Sequence, residues 1–119
     1  ATVGEYAITC KEMTCNQAVC ALKPNSRYPY TFLFLFVKFS KDELINMAVG
    51  SAQQNISQLL IKKLMLPACH EKIQDFHKIV DPFFEKIRSN IVSIQTLEKL
   101  RDSLLPKLMS GEVRVNYNH

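Results

Sequence analysis

The chain predicts an α+β fold, in which a small mixed globular part of short strands and helices is followed by a long C-terminal coiled-coil helix. Short runs rich in Tyr, Ile, Val and Thr, with rough alternation, lie at residues 5–9 and 17–23, as in half-buried strands. Ser40-Lys41-Asp42-Glu43 is a capping box of the kind that opens a helix. From Ile73 onward apolar residues return at heptad spacing. Ile73, Val80, Ile87 and Ile94 hold one seam position, and Phe76, Phe83, Asn90, Leu97 and Leu104 hold the other. This is the pattern of a helix built to pair.

The elements follow in order. Glu5 to Thr9 and Gln17 to Lys23 are the two expected strands, with Lys11 to Asn16 between them and a turn at Pro24-Asn25-Ser26. From Pro29 to Phe39 the phenylalanines at 32, 34, 36 and 39 suit a buried strand or a buried helix. Helix is favoured, because Pro29 suits a first turn and a helical segment follows. The Ser40 hydroxyl can accept the Glu43 amide proton while the Glu43 carboxylate reaches back, giving a helix over 41–48 with Gly50 as its stop. Ser57 caps a further turn through Lys63. Leu64-Met65-Leu66 is strand-like, and Pro67 closes the globular part. The long helix then runs from about residue 71 to about 105. Asp81-Pro82 interrupts it with a good N-cap followed by a good first helical residue. Because the seam keeps its phase across this step, a kink with the packing face preserved is expected, with a hand-over between two helices as the other reading. Asn90 and Arg101 put polar side chains in the seam, where such residues can fix register. The organisation expected is therefore a globular part at 1–67, a spacer helix and closing segment at 68–113, and a tail at 114–119.

With 119 residues, the chain has only some 65 in front of the helix, close to where a lone core becomes marginal. A partner is expected to complete the fold. The net charge of +4 is uneven: residues 1–66 hold seven basic side chains against four acidic ones, and residues 67–119 hold eight against seven. A basic front suits a polyanion partner, although a charge of this size is common on proteins that bind none. Cys10, Cys15 and Cys20 stand five apart and Cys69 stands alone beside His70, which does not match the close ligand pairs of structural zinc sites. Reduced thiols are expected, with no metal and no cofactor. His70 and His77 lack a neighbouring carboxylate pair and read as surface or partly packed histidines, so no catalytic residues are assigned. The longest apolar run, Tyr30 to Val37, is far short of the ~20 residues of a membrane helix, and no signal peptide precedes it. Ala1 lies already inside strand-like sequence, as in the tail of something longer.

The order Thr2 to Ile8, then Asn16 to Val19, then Gly50-Ser51-Ala52-Gln53-Gln54-Asn55-Ile56-Ser57, then Leu66-Pro67, then a long helix ending Leu100 to Val113, resembles the specificity subunit of type I restriction-modification systems. The likeness runs almost end to end and departs around Ala68-Cys69-His70. It implies the back part of a target-recognition domain plus one spacer helix, cytoplasmic in a bacterium or archaeon. The implied function is DNA sequence recognition and scaffolding. Its implied partners are double-stranded DNA, the modification (methyltransferase) and restriction subunits of the same system, and a second specificity-subunit helix paired antiparallel. Methyl transfer and cleavage belong to other subunits of such systems. Two copies paired through residues 73–104 would set their globular parts about 50 Å apart at ~1.5 Å per residue.

Candidate DNA-contacting residues are Lys11, Arg27, Lys62 and Lys63, through phosphate, and the amide run Gln53, Gln54 and Asn55. Amides can read adenine in the major groove, but equally bond backbone groups or phosphates. Because recognition domains with different targets share a similar run, a structural role is preferred for it. Two rival readings stand beside this one. One is a truncated product acting only as a coiled-coil oligomerisation or interaction module; the other is a thiol or zinc enzyme built on Cys10, Cys15, Cys20 and Cys69.

Overall fold

A computed structural model describes residues 4–16, 19–49, 56 and 58–115. The amide run Gln53, Gln54 and Asn55, the cap Ser57 and the stop Gly50 lie outside the described residues, as do Gln17 and Ala18 of the second expected strand. The described elements are α1 (Tyr30–Phe39), α2 (Lys41–Val49), α3 (Gln58–Lys63) and α4 (His70–Met109).

The expectation of an α+β fold is overturned: the described residues form helices and no strand. Alternation reports a segment with one face packed, and a sheet ladder is only one way to pack it. Within residues 5–9, Glu5 and Tyr6 meet helices instead. The Tyr6 ring meets Phe34 of α1 edge-on, with centroids 5.3 Å apart. Lys41 of α2 lies over that same Tyr6 ring at 5.7 Å and pairs with Glu5 at 3.3 Å. In the second segment Val19 donates its backbone N–H to Asn16 O in a turn. At Leu64 the chain closes α3 by bonding Ile61 O, and Met65 beyond it is 89% exposed. Among the described residues none of these segments is paired as a strand.

The helical readings fare better. Asn25 Oδ1 accepts the N–H groups of Arg27 and Tyr28, both at 2.9 Å, which turns the chain into α1. Pro29 is the N-cap, with φ −65°, and its carbonyl accepts the first helical bond, from Leu33. Ser40 serves both neighbours: its N–H bonds Phe36 O at the end of α1, and its carbonyl accepts Leu44 N–H at the start of α2. The second helix thus runs one residue beyond the expected 41–48.

The fourth helix is longer than expected and continuous through Pro82 and Pro106. The alternative of two separate helices meeting at Asp81-Pro82 is not adopted. Each interior proline removes one backbone bond and crowds the preceding turn, at a cost of about 3 kcal/mol that packing must offset. Gly111 ends the helix at φ +77°, in the left-handed region where glycine is unstrained. There the last carbonyls find donors: Ser110 N–H bonds Pro106 O, Gly111 N–H bonds Leu108 O, and Val113 N–H bonds Lys107 O.

The chain divides into two compact units, residues 1–81 and 82–119. In the first, α1 packs on α2 and α2 on α3. Its buried residues are Pro29, Thr31, Leu44, Ala48 and, from the start of α4, Ile73. Such a core is thin. In the second unit the large apolar side chains of α4 other than the half-buried Phe84 stand in water from Phe83 to Met109.

Gly4 has φ +84°, and an added Cβ there would come within 3.3 Å of Ile45. Gly4→Ala is therefore expected to destabilise the first unit by about 1–2 kcal/mol, through the left-handed backbone alone. Equilibrium unfolding in urea checks this.

Candidate nucleic-acid and partner interfaces

The candidate phosphate contacts come from irregular segments and one helix end. Lys11 is exposed in the stretch before Asn16, Arg27 is exposed in the loop that opens α1, and Lys62 and Lys63 are exposed in the last turn of α3. Lys23 and Lys38 add two further exposed cations. Lys41 is already committed to Glu5. The fold thus leaves six of the seven basic residues before Pro67 exposed, which keeps the positive excess available to an anion.

A polar network holds α1 against the opening turns of α4. Thr31, fully buried, shares a 2.9 Å hydrogen bond with His77 Nδ1. Tyr30 donates its hydroxyl to Asp81 Oδ1 at 2.5 Å, and its ring meets His77 edge-on at 5.9 Å. Gln74 donates to Ser26 O at 2.7 Å, and Tyr28 donates to Pro67 O at 3.2 Å while packing edge-on against His70. Sequence reasoning singled out neither Tyr30 nor Thr31, because their partners lie 51 and 46 residues away and local spacing carries no trace of them. His77 fits the reading as a partly packed histidine.

Beside this network lies an apolar groove of about 400 Å³, lined by Phe32, Phe36, Phe39, Pro67, Ile73 and Phe76. The rings of Phe32 and Phe36 stack along one wall, 5.8 Å apart.

The seam residues divide between the two units. Ile73 is buried at 5% exposure, inside the first unit, and Val80 is half-buried. Phe76 is at the margin, at 37%. Further on, Phe83, Ile87, Ile94 and Leu97 are each more than half exposed, Leu104 is 38% exposed, and Asn90 faces solvent among them. Arg101 is held by its neighbour Asp102 at 2.8 Å. Leu97, Leu100, Leu104, Leu105 and Leu108 form a shallow apolar trough around it. Contiguous apolar surface of this kind on a helix marks an interaction face.

Cys10, Cys15 and Cys69 are exposed and Cys20 is half-buried, and among the described residues no three His, Cys, Asp or Glu side chains gather as a metal site would require. Among those residues, too, no helix is long and apolar enough to cross a membrane.

A family model for the type I restriction modification DNA specificity domain matches residues 1–99. The chain belongs to that family. It is 37% identical over 86 residues to the specificity subunit of the type I restriction enzyme MjaIX of Methanocaldococcus jannaschii, a match covering 71% of this chain and 20% of that protein. It is 32% identical over 120 residues to the HindI specificity subunit of Haemophilus influenzae, covering 95% of this chain and 26% of that protein. This member of the specificity family thus spans about a fifth to a quarter of the length of these relatives. No solved structure matches it significantly. The family match covers every candidate phosphate contact and the seam as far as Leu97.

Proposed function

We propose that this chain contributes DNA sequence recognition and scaffolding to a type I restriction-modification system, in the cytoplasm of a bacterial or archaeal cell. The observation that carries the reading is the specificity-family match, which takes in both the basic globular unit and most of the helix. In this reading the exposed cations Lys11, Arg27, Lys62 and Lys63 meet phosphates. The apolar face of α4 pairs antiparallel with a second specificity-subunit helix. The chain performs no catalysis itself; the modification and restriction subunits bound to the assembly carry methyl transfer and cleavage.

The chemistry of phosphate contact supplies the test. Four neutralised phosphates give a log–log dependence of affinity on salt with a slope of about −3.6 on duplex DNA. Binding of a mixed-sequence duplex, followed by fluorescence anisotropy across a salt series, is expected to show a slope near that value. Changing Lys11, Arg27, Lys62 and Lys63 to Ala together should remove most of it. Association of the chain with itself, without salt-dependent DNA binding, would favour the interaction module, because an apolar seam weakens little with salt.

A further inference from the structure

We infer that Asn90 and Arg101 form a polar lock between two copies of this chain, fixing the one register in which their helices pair. The inference rests on the antiparallel pairing proposed above, and adds to it the partner, a second copy, and the alignment. Only residues 83–108 take part, all of them within the second unit. The earlier seam residue Ile73 is buried in the first unit and is not open to a partner.

In an antiparallel coiled coil, residues at one seam position face residues at the other seam position of the partner, so the place of the twofold axis decides every contact. With the axis between Gln95 and Thr96, Phe83 meets Leu108 of the second copy, Ile87 meets Leu104, and Ile94 meets Leu97. The two polar seam residues then meet each other, Asn90 against Arg101, once on each side of the axis. Every seam position from 83 to 108 is covered, and like faces like. A slip of one heptad loses both matches. In one direction it sets Arg101 on Phe83 and Asn90 on Ile94; in the other it sets Arg101 on Leu97 and Asn90 on Leu108. A parallel pair in register sets Arg101 against Arg101, where two guanidinium charges repel.

The side chains are arranged for such a contact. Arg101 lies in the apolar trough between Leu97 and Leu104, and Asn90 is exposed. The Nε and Nη2 groups of Arg101 both reach Asp102 Oδ1 at 2.8 Å, so its charge is balanced within its own chain. The other N–H groups of the guanidinium can donate to the Asn90 amide oxygen of the second copy. A compensated charge of this kind is one that a seam can cover, where a bare one is not. Lys86 approaches Lys107 of the second copy outside the seam, but Lys107 is already paired with Glu112 at 3.7 Å.

Charge exchange across the contact, followed by sedimentation equilibrium of the full-length chain, tests the lock. Asn90→Lys sets an ammonium against each Arg101, and is expected to weaken association at least about a hundredfold through two like-charge contacts per pair. Arg101→Glu gives up the Asp102 partner and is expected to weaken it about tenfold. Combined in one chain, the two substitutions put opposite charges across both contacts. The double variant is therefore expected to associate at least about tenfold more tightly than Asn90→Lys alone. Both positions are exposed in the isolated chain, so the circular dichroism of all three variants should match the parent. A double variant no tighter than Asn90→Lys overturns the register, because the two positions then do not face each other. If the parent still associates and Ile87→Asp still abolishes that, the apolar pairing stands and the lock alone has failed. A parent chain that stays monomeric overturns the pairing and the lock together.

Discussion

Ile94→Asp, and independently Ile87→Asp, is expected to weaken self-association of the chain by at least about a hundredfold, because each would place an unpaired carboxylate in an apolar contact. In the isolated chain these side chains are 53% and 54% exposed, so neither substitution removes a packed residue from the fold. The loss should fall on association alone, with the far-ultraviolet circular dichroism signal and the unfolding midpoint of the first unit held. Sedimentation equilibrium is the measurement: the parent chain should associate at micromolar concentration and both variants should run as monomers. Persistent association in both would show that the heptad face is not the surface that pairs.

Ile73→Ala is expected to cost about 2–4 kcal/mol of folding stability, a large share of what a small domain possesses. Ile73 occupies the same heptad position as Ile87 and Ile94, yet it is 5% exposed and belongs to a core whose other buried members are Pro29, Thr31, Leu44 and Ala48. With so few buried side chains, surrounding residues have little material with which to refill the cavity. A urea titration should show the midpoint fall sharply, and a change below about 1 kcal/mol would mean that the site collapses onto the space left behind. Paired with Ile87→Ala, which should change association and spare the midpoint, the result would show one sequence repeat serving two physical tasks.

That division explains how far the sequence was legible. Helix signals that depend on neighbours within a turn or two placed the helices: Pro29 before α1, the start of α2 after Ser40, though by backbone bonds and not by the expected Ser40–Glu43 capping box, and the run that becomes α4. Strand signals at residues 5–9 and 64–66 misled, because alternation records a packed face without recording what it packs against. At Tyr6 the neighbour is an aromatic ring on a helix. The heptad likewise gave Ile73 and Ile94 one role, since periodicity along a helix does not say where a globular unit ends and solvent begins. Of the candidate site, the cations at 11, 27, 62 and 63 could be named from charge alone. The Tyr30–Asp81 and Thr31–His77 contacts could not, being set by tertiary docking over some fifty residues of chain.

The uncovered stripe on α4, from Phe83 to Met109, also bears on how much of this chain a cell can keep. A partner that binds only the folded form adds stability that grows with the logarithm of its concentration. Below that concentration the stripe stays open to chaperones and proteases, which act on apolar surface and on transiently opened structure. If a second helix covers the stripe as proposed, turnover is expected to remove surplus copies and spare assembled ones, which would match supply of the chain to supply of its partner.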